Sequence, residues 1–455
     1  MPSPPDLSCL AKTASTVGLG GLYAPGRQGT WREALSTTIL NGARDGLKDR
    51  SVVIAVRAQV DAGLAMLELD GVVRRMIILP PDFSEDWLAS VVLQGDVDAV
   101  VCDDLTSCSF ALPKFPVSAP TRTVKSGCIR GTEWVLPTSG TSGRPKLVAH
   151  SLQGLAGAIG GPGAERPIWG TFYDIRRYGG LQIFLRAVIG GAPLVISDAS
   201  ESLSDQVARM AEIGVTHLSG TPSHWRKLLM SGEAFRISPR YVRLSGEIAD
   251  RAILEALGDA YPQAKIVHAY ASTEAGVGFE VTDGREGFPA SYLDGVGSVE
   301  MRLVDGTLHL RSQRTASHYV GRSDLRLKDD SGFVDTDDLV EVIADRCYFR
   351  GRRAGTINVG GLKVSPEEVE QVINSHEGVR VSLVKARRSP ITGDLIVADV
   401  VLKDEETEPS RRKVLKDEIA SLCRERLERH KVPAMIEFVP TLAMTPAGKL
   451  LRREL

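Results

Sequence analysis

The sequence predicts an α/β protein, with a large multi-layer N-terminal α/β body and a small C-terminal α+β domain joined to it by a hinge. Three observations carry that expectation. β-Branched apolar runs alternate with helical patterns over most of the chain, the texture changes after about residue 350, and the composition is that of an ordinary globular protein. The 455 residues are 43% hydrophobic and 25% charged, with 45 Gly and 24 Pro. Disordered, collagen-like and disulfide-scaffold classes are thereby excluded, and the length suggests about two to four domains or subdomains. The net charge is −2, from 55 Lys+Arg against 57 Asp+Glu, so no global field recruits nucleic acid or an anionic membrane.

Residues 52–56 (VVIAV) read as a buried strand, 59–69 as a helix and 76–79 as the next strand. The alternation resumes with a strand at 194–196, a helix at 204–213 and a strand at 217–219. It continues with a strand at 241–244, a helix at 251–257 and a strand at 265–268. Short connections between such elements are the mark of crossover units on a parallel sheet. In the last hundred residues or so, Ser365-Pro-Glu-Glu has the form of a capping box, with Ser365 as cap, Pro366 in the first turn and Glu368 reaching back. That helix should run to about Ser375, followed by strands at 379–384 and 395–402, a charged helix from Ser410 and a strand at 436–439. Residues 351–355 (GRRAG), without a large apolar side chain, form the expected joint between a domain of residues 1–351 and one of 352–455.

The six cysteines include no C-x-x-C pair, so a zinc ribbon or redox dithiol lacks its signature. No basic and apolar leader opens the chain, and the most apolar stretch, 181–196, is broken by Arg186 and Gly190-Gly191. That stretch is also shorter than the ~18 residues of a membrane span. A cytoplasmic protein without membrane or nucleic-acid partners is expected.

Four segments carry chemistry. Thr138, Ser139, Gly140, Thr141, Ser142 and Gly143, followed by Lys146, leave backbone N–H groups uncovered to wrap phosphate oxygens, with the lysine as a point charge. Leu147 follows the lysine, so this is not a Walker A loop, and alone it proves only an anion-tolerant turn. Next, 268–274 (HAYASTE) sets Thr273 and Glu274 at the end of a strand, where open α/β sheets bind ligands. An ordinary helix start is the plain alternative. Asp338, in 332–338 (GFVDTDD), and Arg352 suit ribose and phosphate, or else a surface ion pair. Lys449, in 445–449 (TPAGK), is by itself a solvated lysine.

In this order the segments resemble the adenylate-forming superfamily of acyl- and aryl-CoA synthetases, nonribosomal adenylation domains and luciferase. The resemblance runs from about Trp134 to the C-terminus. It matches TSGTSGRPK to the phosphate loop, Tyr270-Ala-Ser-Thr-Glu274 to Y-G-x-T-E, and Thr336-Asp-Asp338 to T-G-D. It further matches Gly351-Arg352 to the hinge, Gly360-Gly361 to the following glycine loop, and 444–449 to the motif with the terminal lysine.

The resemblance implies ATP, Mg2+ and CoA as reactants and a small-molecule carboxylic acid as substrate. Thr138 to Lys146 would hold the β- and γ-phosphates, Thr273 the α-phosphate, Glu274 the Mg2+, and Asp338 with Arg352 the ribose. Gly246 and Glu247, in a segment like the family's G-G-E, would frame the adenine with Ala269 and Tyr270. Lys449 would bridge the attacking carboxylate and the α-phosphate. After adenylation the small domain would rotate and present Gly360-Gly361 to a pantetheine tunnel. The family's acyl pocket is lined by a segment that is 173–180 here, so Arg177, Tyr178 and, after Gly-Thr-Pro-Ser, His224 become its candidates. An aromatic at Tyr178, where amino-acid-activating domains carry Asp, argues for an amine-free acid. Arg176 and Arg177 would pair a second carboxylate or lie on a solvated helix face.

Ala271, Asp337 and Ala354 depart from the family pattern, the last at the hinge. The leading function is a stand-alone acid–thiol (carboxylate–CoA) ligase. Its rival loads a carrier-protein phosphopantetheine, and a non-catalytic nucleotide-binding module stands further off. A homodimer and a trimmed N-terminal subdomain, since the chain is short before Trp134, complete the expectations.

Overall fold

Residues 51–55 form the middle of a sheet because their side chains find apolar cover on both faces; Val52, Val53 and Ile54 are all fully buried. The computed structural model describes Leu7 and residues 20–106, 108–122, 131–138, 145–160, 166–198, 200–359, 362–389, 393–404, 408–445 and 448–451.

Among these residues the largest sheet has eight strands. Its order is Gly276–Val281, Lys265–Ser272, Tyr241–Ser245, His217–Gly220, Trp169–Thr171, Leu194–Val195, Gly21–Ala24 and Arg27–Thr30. The middle pairs are parallel and the two outermost antiparallel. Helices Leu203–Ile213, Pro222–Met230 and Arg251–Ala260 make the crossovers, so the C-terminal strand ends share one edge. A second sheet of seven strands holds Ser51–Ala55, Arg75–Ile78, Ala99–Cys102, Glu133–Thr138 and Lys146–His150.

Helices Gln59–Leu69 and Tyr178–Gly190 are apolar on most of their surface, as helices covered on all sides must be. Met66 and Phe184 join residues of both sheets in one cluster, so these helices form the layer common to the two sheets. Residues 20–122, expected to be trimmed, supply strands to both sheets.

A five-stranded sheet follows, with Val334–Ile343 and Arg346–Arg352 as an antiparallel pair. The last sheet draws on residues 357–438 alone, and its core, from Ile357 to Ile436, contains no residue from the large body. Between these sheets, Arg353–Gly355 is a single 3-10 turn at the expected joint. Most expected elements stand within a residue or two of their positions. The capping box does not form. Ser365 precedes the helix Pro366–Asn374, but its buried hydroxyl has no hydrogen-bond partner among the described residues. Lys431 draws Glu368 outward, at 2.9 Å, which removes the reciprocal arm of the box.

Candidate active site

The cleft is built where the parallel strands end. After Tyr241–Ser245 the chain turns through Gly246, whose φ of +88° suits glycine, into Glu247. After His217–Gly220, Thr221 caps the next helix by accepting from the His224 N–H at 3.0 Å. His224 returns the favour through Nδ1, which accepts from the Thr221 N–H at 3.1 Å. Pro366 and Pro222 hold comparable first-turn positions, yet only Thr221 completes its box.

Onto this edge the end of the chain folds back. The Thr221 hydroxyl donates to the Gly448 carbonyl at 2.5 Å, and the Leu450 N–H donates to Glu247 Oε1 at 3.3 Å. Gly448, at φ +72°, lies so close to His224 that a Cβ there would sit 1.8 Å from the imidazole. Lys449 consequently projects past Gly246, its Cε 3.6 Å from where a Gly246 Cβ would lie. The lysine keeps accessible surface, yet Arg352, Glu247, Asp338 and Arg177 all act on its charge, so it lines a cleft rather than a solvated face. Burial lowers its pKa, Arg352 and Arg177 add to that effect, and Glu247 and Asp338 oppose it.

Asp338 and Arg352 face each other across the antiparallel pair, and Arg352 Nε donates to Asp338 Oδ1 at 3.2 Å. The Tyr270 hydroxyl donates to the other oxygen at 2.5 Å. Burial raises the Asp338 pKa against the pull of Arg352 and Tyr270. Tyr270 stacks on Phe349 and Phe279, with ring centroids 5.1 and 5.6 Å apart.

Thr273 and Glu274 do not start a helix. They form the tight turn between Lys265–Ser272 and Gly276–Val281, because Gly276, at φ +76°, lets the chain reverse beside the Arg314 carbonyl. The Glu274 carboxylate has no ion pair or hydrogen bond among the described residues. It acts electrostatically on Tyr319 and Arg352, and a carboxylate of this kind is an oxygen donor that suits Mg2+. Thr138 and Lys146 are paired across a hairpin, and Lys146 Nζ lies 5.3 Å from the Tyr319 ring centre. Ser139, Gly140, Thr141, Ser142 and Gly143 lie outside the described residues, as do Gly360 and Gly361.

The chain is similar to known proteins. Residues 128–314 match the family model of the AMP-binding enzyme, and 368–449 that of the AMP-binding enzyme C-terminal domain. The chain belongs to the AMP-binding enzyme family. Among its relatives is a 2-succinylbenzoate–CoA ligase of Geobacillus kaustophilus, 28% identical over 379 residues, covering 76% of this chain and 72% of the relative. The same-named ligase of Listeria monocytogenes serotype 4b is 25% identical over 346 residues, covering 70% of this chain and 69% of the relative. The fold is that of the anthranilate CoA ligase AuaEII in complex with anthranoyl-AMP, with a TM-score of 0.81 at 18% identity, covering 99% of this chain and 96% of the other. The amide bond synthetase McbA of Marinactinospora thermotolerans shares it, with a TM-score of 0.78 at 19% identity and 98% coverage of both chains.

One residue of this AMP-binding enzyme stands otherwise than the sequence suggested. Arg176 is neither solvated nor in the pocket: it is buried, bonded to Asp174 and to the carbonyls of Val56 and Arg57. Asp174 is thereby held by the Arg176 guanidinium. Arg177 pairs with Asp82 at 2.6 Å while its charge reaches Lys449. Glu247 accepts from the Ser223 N–H at 2.9 Å and the Ser223 hydroxyl at 3.0 Å, so it ties the neighbouring helix to the cleft. Ala269 follows on the adjacent strand, in register with Ser245. Tyr178 opens the helix Tyr178–Gly190, buried, and its centroid lies 5.6 Å from that of His150. His224 packs between Phe172 and the Gly448 turn, and burial lowers its pKa to about 4.

Sequence reasoning missed Thr221 and Asp337. Thr-Pro before an apolar helix was a readable capping signal. Asp337 holds φ +61° and binds the hinge: Oδ1 accepts from Arg353 Nε and Oδ2 from the Ala354 N–H, each at 3.1 Å.

Proposed function

We propose that this AMP-binding enzyme uses ATP to activate a carboxylic acid, of aryl type, and then transfers the acyl group to the thiol of CoA. One observation carries the reading: Lys449, delivered by the C-terminal unit, stands in the cleft beside Gly246, Glu247, Asp338 and Arg352. In the first step a substrate carboxylate oxygen attacks the α-phosphorus of ATP. The bond to the β-phosphate oxygen breaks, pyrophosphate leaves, and an acyl adenylate remains.

Two anions must meet, so the rate rests on positioning and on fixed positive charge. Lys449 supplies that charge between the carboxylate and the α-phosphate, with Thr273 beside it. The loop from Thr138 to Lys146 cradles the outer phosphates. Asp338 and Arg352 orient the ribose, while Gly246, Ala269 and Tyr270 frame the adenine. Mg2+, held by Glu274 and the phosphates, offsets phosphate charge when bound.

Residues 352–455 then rotate about the turn at Arg353–Gly355. Lys449 withdraws and Gly360-Gly361 approach the thiol, whose sulfur attacks the acyl carbon and expels AMP. Tyr178 and His224 border the acid. The names of the related ligases and of the anthranilate neighbour support an aryl substrate.

Pyrophosphate release across a carboxylate panel with ATP and Mg2+, with and without CoA and with products read by mass, tests this. A CoA-dependent thioester mass is expected. Adenylate without CoA thioester would give the acceptor role to a carrier protein, and silence across the panel would contradict activation altogether. Sedimentation of the same sample decides between monomer and homodimer. No helix among the described residues is long and apolar enough to cross a membrane.

A further inference from the structure

Cys102 and Cys108 lack the C-x-x-C spacing of a redox dithiol, yet the fold brings their side chains together. Cys102 ends the strand Ala99–Cys102. The chain then loops out and returns as the strand Lys114–Pro116, parallel to the first and beside it. The two thiols share a hydrogen bond, and the Cys102 thiol donates to the Asp104 carbonyl at 3.3 Å. Both belong to one apolar cluster, Cys102 in its buried part and Cys108 packed against it.

Lys114 holds this arrangement. Its Nζ donates to the carbonyls of Leu105 and Cys108 at 3.1 and 2.8 Å, which ties the loop down at two points. Asp104 tightens the intervening turn by accepting from the Thr106 N–H at 2.7 Å and its hydroxyl at 2.6 Å. Asp104, Leu105 and Thr106 themselves are exposed, so the loop has room to let the sulfurs close to bonding distance.

The two thiols differ in a way that suits sequential oxidation. Burial, and after it the Cys108 thiol, push the Cys102 pKa up to about 12 against the pull of Lys114. Cys102 therefore keeps its proton at neutral pH. It is 2% exposed whereas Cys108 is half-buried, so an oxidant meets Cys108 first and finds Cys102 behind it. Cys347 and Cys423 are buried, each in a different apolar core.

We propose that Cys102 and Cys108 are a site of reversible oxidation, closing to an intramolecular disulfide under a peroxide and reopening with a dithiol. The Cys108 sulfur, as thiolate, attacks one oxygen of hydrogen peroxide. The O–O bond breaks, and the departing hydroxide takes up the proton that Cys108 gave off. The Cys102 sulfur then attacks the sulfur of the resulting sulfenic acid, the S–O bond breaks, and the Cys102 proton leaves with the hydroxyl as water. Two thiols and one hydrogen peroxide become one disulfide and two waters. None of this depends on the adenylation reading.

Hydrogen peroxide titrated into the native, reduced chain tests it, with remaining thiols alkylated and tryptic peptides weighed. Residues 76–114 form one tryptic peptide that holds these two cysteines and no others. It should become about 2 Da lighter and refuse the alkylating agent at both positions, before Cys347 or Cys423 is modified. Dithiothreitol should restore both thiols, and Cys108→Ser should leave Cys102 alkylatable after the same peroxide dose. Cys108 carried to sulfinic acid with Cys102 still alkylatable, Cys108 linked to any other cysteine, or a bridge that forms only in urea would overturn the proposal. The wild-type peptide map decides it even if the serine variant fails to fold.

Discussion

Lys449 owes its position to Gly448. A methyl group at residue 448 would meet both an unfavourable φ and the His224 ring. Gly448→Ala should therefore leave the body folded but push the lysine out, lowering the adenylation rate on the order of 10²-fold, as loss of a preorganised donor does. Circular dichroism and pyrophosphate release on one sample check this. The lysine must be charged to act, and burial lowers its pKa. The basic limb of the adenylation rate should thus fall below the ordinary lysine value of about 10.4; a limb at or above it would contradict the position in the cleft. Buried histidines contribute to the acid limit of stability. Burial lowers the pKa of His150 from 6.5 to about 4. The unfolded chain binds that proton at higher pH than the folded one, so the stability is complete above 6.5 and is lost as pH falls through 4. The loss approaches about 3 kcal/mol for one such group, and denaturant unfolding of His150→Gln should show a shallower slope in that window. None of this was legible in the sequence: a glycine and a histidine more than two hundred residues apart meet only through the fold.

At the scale of elements, the alternation of apolar runs and helices gave nearly every crossover unit, because strands buried on both faces need continuous β-branched runs. The same local patterns misled at residues 365–368, and at 273–274 they left a helix start open beside the strand end. A capping box depends on where its glutamate is drawn, here to Lys431, and a turn depends on what lies beside its glycine, here the Arg314 carbonyl. The hinge is the instructive case. Asp337 and Ala354 read as separate departures from the family, yet the Asp337 carboxylate binds the Ala354 N–H and Arg353, which also bonds Asp335 at 2.6 Å. Aspartate tolerates the left-handed backbone that glycine would otherwise supply. Asp337→Gly should keep that backbone while releasing the turn. Since exposed ion pairs contribute about 0.2–1 kcal/mol each, conversion of preformed adenylate to thioester should speed up by about two- to five-fold in single-turnover assays. An unchanged rate would mean that the tether does not restrain rotation.

Across the whole molecule, the motifs were readable because each is local, while their meeting is not. The sequence placed Asp338, Arg352 and Lys449 in a single nucleotide site only through resemblance; the fold brings them together by pairing two strands and folding the chain end onto Thr221 and Glu247. The candidates for the acid pocket were least legible, since Arg177, Tyr178 and His224 stand at the starts of two helices that share no motif.

In the proposed reaction Lys449 serves one half-reaction and leaves before the other. The most direct measurement compares the two halves in Lys449→Ala, with folding verified: pyrophosphate release from ATP and acid, and thioester formation from supplied acyl adenylate and CoA. The account predicts that the first is abolished and the second persists near the wild-type rate. Equal loss of both, in a folded protein, would contradict it.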